Sequence, residues 1–329
     1  MKYGIIGTGW IAESFIEGAR LKCGADISAV YSRTAEKGNA FASKNGIPRV
    51  FTDMESFLAS DIEAVYIASP NVCHFPQSKM CLEAGKHVIC EKPVTVTSAQ
   101  YAECKAIADS KGLVYIEAIM YMHTPGREIL RESLNSIGRI SSAQFDFSQL
   151  SSKYPAYLRG ENPNIFNPEM ATGAFMDLGI YCVYPAIDLF GMPSKITADS
   201  VFLDSGADAS GSALLNYSDK LVTLTYSKTG QDYSGSKILG DEGTICIESI
   251  SKLVLGLKFD SEGAQTVILP DVPKAELMGF EAEDFERFIR NIRDDKYALC
   301  DETTRKVLSV MEKIRECSGI RFGKDDNDA

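Results

Sequence analysis

The chain has 329 residues, more than a single hydrophobic core usually spans, so two domains are expected. With 45% hydrophobic and 24% charged residues it reads as an ordinary soluble protein, and a formal charge of -11 opposes association with nucleic acid or anionic lipid. No apolar run reaches the ~18 residues of a spanning helix and Met1-Lys2-Tyr3 leads into a strand, not a signal peptide, which predicts a cytoplasmic protein.

In chain order, short apolar runs at 3–7, 27–31, 64–69, 87–90 and 113–118 alternate with segments of helical spacing at 11–21, 35–45, 54–58, 75–84 and 98–111. This alternation predicts an α/β Rossmann domain, a doubly wound parallel sheet with helices on both faces, over residues 1–120. From 121 the rhythm changes to successive strands at 140–148, 196–203, 211–217, 221–227, 244–248, 252–259 and 265–269, joined by turn residues. Two helices, 281–293 and 303–317, then close the chain before a polar tail at about 323–329 that is predicted to be disordered. Residues 121–329 thus read as an α+β domain on a large, mostly antiparallel sheet, for substrate binding and dimerisation. The nine cysteines are scattered, without zinc or CxxC spacing, and predict core thiols and no metal.

The opening GIIGTGWIAESF sets Gly7, Gly9 and Ala12 in GxGxxA spacing between a strand and a helix. Gly7 permits the tight turn, Gly9 admits a pyrophosphate close to backbone, and Ala12 lets helix and strand approach. Gly7, Thr8, Gly9, Trp10 and Ile11 therefore form a candidate dinucleotide cradle at a helix N-terminus. Where NAD binders usually carry an acidic residue after the second strand, this chain has Ser32, Arg33 and Thr34. A guanidinium beside hydroxyls suits a 2′-phosphate and predicts NADP, with NAD the alternative.

A second cluster lies further on. KHVICEKPVT ends a strand at Glu91 and Lys92 and turns sharply at Pro93. In DLGIY, Asp177 and Tyr181 are four residues apart and share one face of a helix. Carbonyl reduction leaves charge on oxygen and needs a positioned acid, for which Tyr181 is the candidate. Because a free phenol titrates near pH ~10, it needs a neighbouring cation such as Lys92 to act near neutrality, and Asp177 would orient the substrate hydroxyl or Lys92. On spacing alone, a core tyrosine, a capping aspartate and a Glu91-paired lysine account for these residues equally well. Pro185 removes the amide that would bond the carbonyl of Tyr181, so the helix is predicted to bend or end one turn after it.

Read together, SPNVCHFP (69–76), AGKHVICEKP (84–93) and GAFMDLGIY (173–181) behind an N-terminal GxGxxA resemble the Gfo/Idh/MocA family of oxidoreductases, from residue 3 to about 320. With IEAIMY and DLGIYCV, the resemblance is strongest to the dimeric dihydrodiol dehydrogenase and NADP-linked xylose dehydrogenase branch. It implies that Lys92 faces the nicotinamide, that Ser69, Pro70, Asn71, His74 and Glu91 border the cofactor, that the Lys92-Pro93 bond is cis, and that the chain dimerises through its second sheet. His87, inside its strand, is expected to be structural, and His123 to border the substrate pocket. Only Gly173 stands where relatives often carry a glycine run, and Met122 stands where many have arginine. Tyr157 and Arg159 are further candidates for binding a polyol or acid. The expected function is hydride transfer between nicotinamide and an alcohol or carbonyl carbon of a sugar, polyol or cyclic diol; the alternative is a non-catalytic NADP-binding sensor that uses the same cleft.

Overall fold

The structure, a computed structural model, describes residues 1–323, so all but the first residue of the expected tail at 323–329 lies outside the described residues. The chain divides into two compact units, Met1–His123 with Pro273–Thr304, and Thr124–Val272 with the chain from Arg305 onward. The first cut thus falls just past the expected 120/121, while Pro273–Thr304, expected in the second domain, belongs to the first unit.

Strands β1 (Lys2–Ile6), β2 (Asp26–Tyr31), β3 (Val50–Phe51), β4 (Ala64–Ile67), β5 (His87–Glu91) and β6 (Tyr115–Ala118) form a sheet in the order β3-β2-β1-β4-β5-β6. Every neighbouring pair is parallel. The order reverses between β1 and β4, the place where such sheets leave a crevice beyond their strand ends. Helices α1 (Trp10–Cys23), α2 (Ala35–Asn45), α3 (Met54–Leu58), α4 (His74–Glu83), α5 (Ser98–Lys111) and α6 (Met120–His123) connect or follow these strands. Their ends follow local chemistry: Thr97 and Gln100 close a capping box on α5, and Gly24 ends α1 in the left-handed conformation. In the core, Phe15 of α1 stacks on Tyr66 of β4 with ring centroids 3.8 Å apart.

The second unit carries α7 (Gly126–Leu134), β7 (Ile140–Ser148), α8 (Tyr154–Leu158), a π-helical turn at Phe175–Gly179 running into α9 (Ile180–Phe190), and strands β8 (Lys195–Phe202), β9 (Asp208–Asn216), β10 (Leu221–Ser227), β11 (Ser236–Gly240), β12 (Gly243–Ser249), β13 (Val254–Asp260) and β14 (Gln265–Leu269). The sheet order is β14-β13-β12-β11-β7-β10-β9-β8, antiparallel except for β7 beside β10. Val222, Leu224 and Tyr226 of β10 are buried and alternate with the more exposed Leu221, Thr223 and Thr225, the period-two pattern of a sheet with one covered face. The π turn and α9 pack on β10 and β7.

Past β14, α10 (Lys274–Arg290) and α11 (Asp295–Ser318) follow. Helix α10 packs along α1, and the contact is backbone to backbone: a Cβ at Gly18 would meet Ala275 O at 2.3 Å, and one at Gly279 would meet Gly18 O at 2.8 Å. Two glycines more than 250 positions apart thus bring α10 home to the first unit.

Candidate active site

At the end of β1, Gly7 has φ +110°, and a Cβ there would lie 2.4 Å from Ala68 O, so the turn accepts no larger residue. At Gly9, by contrast, a Cβ would meet nothing within 4 Å. Open space beside backbone, at the mouth of α1 where first-turn N–H groups lack helical partners, fits a pyrophosphate. Ala12 is fully buried, and half-buried Thr8 and Ile11 flank the turn. Trp10 is 66% exposed, and Lys274 Nζ stands 3.8 Å from its ring centroid. At the end of β2, Ser32 is buried and its N–H donates to Phe51 O, whereas Arg33 is exposed. The residues present therefore fit a dinucleotide.

Ser69, Pro70 and Asn71, all half-buried, follow β4. Ser69 Oγ donates to Gln77 Oε1 at 2.6 Å. His74, expected to line the cofactor, is 1% exposed: Nδ1 lies 2.7 Å from Pro93 O and Nε2 2.8 Å from Ser69 O. It ties the loop after β4 to the corner after β5. The Lys92-Pro93 bond is cis, and Lys92 is half-buried. His87 accepts from Val114 N–H at 3.0 Å, a structural role, and His123 is 3% exposed with Nδ1 2.8 Å from Asp284 Oδ2.

Beneath the corner lies a pair of acids. Glu91 is buried and accepts from Tyr66 Oη at 2.5 Å and from the Lys92 N–H at 3.3 Å. Glu281 of α10 is 1% exposed, and its Oε2 has no hydrogen-bond partner among the described residues. Burial, reinforced by the charge of Glu91, pushes the Glu281 carboxyl well above the usual carboxylate range. Burial also raises Glu91, against the opposing charge of Lys92. Glu281 was invisible in the sequence because nothing in EAEDF distinguishes it from a solvated helix face.

In the second unit, every residue from 171 to 187 is buried except Asp177 and Tyr181, which are half-exposed. Asp177 lies in the π turn and Tyr181 in the first turn of α9, so the two polar groups emerge from an otherwise sealed helix as neighbours. The Tyr181 ring packs edge-on against Phe147 at 5.3 Å. The helix does not end one turn beyond Tyr181; Pro185 is accommodated inside α9, which runs on to Phe190, and the irregularity is the wider turn upstream. Such turns recur at functional sites because they aim a side chain that a regular helix would not.

Two residues that sequence reasoning missed hold this patch. Lys228, 2% exposed in its side chain, donates to Asp177 Oδ2. Asp208 of β9, 1% exposed, accepts from the Phe175 N–H at 2.6 Å. Tyr157 packs on Phe166, and its hydroxyl accepts from Ser205 N–H at 3.3 Å. Arg159 is bound to Glu161 in solvent, so neither it nor Tyr157 joins the Asp177 patch in these contacts. Met122 is buried in α6.

Known proteins resemble the chain over its whole length. Residues 1–119 match the family described as the GFO/IDH/MocA oxidoreductase family with an NAD-binding Rossmann fold, and residues 128–246 match the GFO/IDH/MocA C-terminal domain. The chain is 34% identical to a scyllo-inositol 2-dehydrogenase (NADP(+)) of Bacillus subtilis, covering 99% of each chain. It is 28% identical to the trans-1,2-dihydrobenzene-1,2-diol dehydrogenase of Mus musculus, again over 99% of each. A 3-ketoreductase from Actinomadura kijaniata, solved with NADP and TDP-benzene, has the same fold, with a TM-score of 0.86 at 20% identity over 97% of this chain and 98% of that one.

Proposed function

The chain belongs to the GFO/IDH/MocA oxidoreductase family, and from that membership we propose an NADP-dependent enzyme that interconverts an alcohol and a carbonyl on a sugar, polyol or cyclic diol. It is an NAD(P)-dependent dehydrogenase acting on CH–OH groups. The first unit holds the dinucleotide through Gly7, Thr8, Gly9, Trp10 and Ile11, with Ser32 and Arg33 at the 2′-phosphate. A relative whose name specifies NADP(+), together with the exposed Arg33, supports that choice. The second unit supplies substrate contacts and, through its sheet, a homodimer interface; Val201 at 65% and Leu221 at 44% exposure support the latter.

When bound, the nicotinamide exchanges hydride with the carbinol carbon. Tyr181 takes the hydroxyl proton in oxidation and returns one in reduction. Lys92 supplies positive charge to the oxygen and lowers the cost of a phenolate. Asp177 accepts a hydrogen bond from a substrate hydroxyl. The observation that carries this assignment is the emergence of Asp177 and Tyr181, one turn apart, from a stretch that is otherwise buried throughout.

Tyr181→Phe removes only the proton carrier. Turnover is expected to fall roughly 100- to 10,000-fold while NADPH binding, followed by its fluorescence, persists. Native turnover in that variant overturns the assignment.

A further inference from the structure

Lys228 stands just past the end of β10, where its backbone is held twice: its N–H donates to Ala209 O at 2.8 Å and its carbonyl accepts from Ser151 N–H at 2.9 Å. Its side chain is 2% exposed, and its Nζ lies 5.9 Å from the Phe166 ring centroid and within bonding reach of Asp177 Oδ2. An ammonium removed from water this far is tolerated only beside anionic charge. Asp177 is one such partner. Asp208 also lies close by: burial pushes its carboxyl up to about 6, and the charge of Lys228 works against that rise.

Asp208 in turn anchors the mouth of the segment that bears the patch. Its Oδ2 accepts from the Phe175 N–H, two residues before Asp177, and its Oδ1 has no hydrogen-bond partner among the described residues. Burial raises the Tyr226 phenol on β10, the charge of Asp208 adds to the rise, and its hydroxyl lies 3.3 Å from Ser200 Oγ. Asp177, Asp208, Tyr226, Cys182 and Asp199 are thus titratable groups gathered around this end of β10.

We infer that Lys228 is the positioning residue of the site, a nearly sealed cation that holds the Asp177 carboxylate ionised and aimed outward, with Asp208 anchoring the helix mouth beside it. The inference rests on the proposed role of Asp177 and divides the labour within it. A carboxylate committed to a buried ammonium at one oxygen is a hydrogen-bond acceptor and not a proton donor, which leaves proton transfer to Tyr181. Lys228 touches neither substrate nor cofactor in this assignment and acts only through Asp177.

The test compares Lys228→Met, Lys228→Arg, Asp177→Asn and the double variant Lys228→Met/Asp177→Asn in the full-length enzyme, by NADP(H)-linked turnover over pH 5–10 and by NADPH binding. Lys228→Met is expected to lower kcat/KM roughly 10- to 100-fold and to move its acid limb to higher pH, because Asp177 then titrates without its cation. NADPH affinity is expected to stay within twofold of native. Lys228→Arg recovers most of the loss, and the double variant is no slower than Asp177→Asn alone, since both changes break one link. If Lys228→Met does not fold, Lys228→Gln carries the same expectations. Losses that multiply in the double variant, or an acid limb that stays in place while turnover falls, overturn the inference. Native turnover in both Asp177→Asn and Tyr181→Phe would instead overturn the functional reading beneath it.

Discussion

Asp208 Oδ1 occupies the space over Gly173: a Cβ built on that glycine would lie 1.8 Å from the oxygen. Gly173 also has φ +155°, a region that side chains rarely enter. The carboxyl that caps Phe175 therefore requires a glycine two residues before it. Gly173→Ala is expected to destabilise the protein by more than about 2 kcal/mol, read as a shift of the denaturant midpoint. A midpoint within error of native would show that the loop adjusts freely.

The buried Glu281 makes stability depend on pH in a set direction. Its folded-state pKa is raised, so from the unfolded value upward the native state keeps a proton that the unfolded chain has lost. Unfolding free energy then declines as pH climbs toward the folded value. Glu281→Gln keeps the neutral form at every pH, and its stability is expected to be flatter between pH 5 and 9, with its margin over the native protein growing on the alkaline side. Parallel melting profiles for the two proteins would rule out a protonated Glu281.

Arg33 is exposed at the end of β2, where the 2′-phosphate of NADP would lie. Arg33→Ala is expected to weaken NADPH binding roughly 10- to 100-fold, the worth of a charge-assisted hydrogen bond, and to leave NADH binding nearly unchanged. Equal losses for both cofactors would take Arg33 away from the phosphate.

Phe15 is fully buried and stacks on Tyr66, whose hydroxyl reaches Glu91 beside Lys92. Phe15→Ala should cost about 3–5 kcal/mol of stability. Leu at this position, which restores volume but not the stacked geometry, should return most of that loss in urea unfolding; a Leu variant as weak as the Ala variant would mean that volume is not what matters there.

The outward side of the second sheet is where self-association is proposed. Val201→Glu, placed at a 65% exposed strand position, is expected to shift sedimentation toward the monomer. An unchanged oligomer, or a monomer in the native protein, would remove the sheet as the interface.

Much of this was legible from local pattern. The five longer strands of the first sheet depend on period within a few residues and form where they were expected, and the GxGxxA turn lies between β1 and α1 as its spacing predicts. The hidden parts are those decided by distant contacts. Strand β3 has two residues, too few to carry a period, and β11 is defined by pairing with β7 and β12. Lys228 follows a strand of mixed polarity, and only the fold reveals that its side chain turns inward to Asp177. His74 follows a strand end in sequence, as a ligand-binding residue would, yet it is taken up by two carbonyls. Pro185 argued for a break after Tyr181; the helix instead absorbs the missing amide, and the irregular turn sits ahead of it.

The pairing of Gly18 with Gly279 has a temporal consequence. During synthesis the small-residue face of α1 emerges early and stays wet until α10 leaves the ribosome, after all eight strands of the second sheet have been made. The unit that is translated first therefore waits for a segment made after the second sheet, and a nascent chain stopped short of α10 has an α1 with no helix packed along its small-residue face.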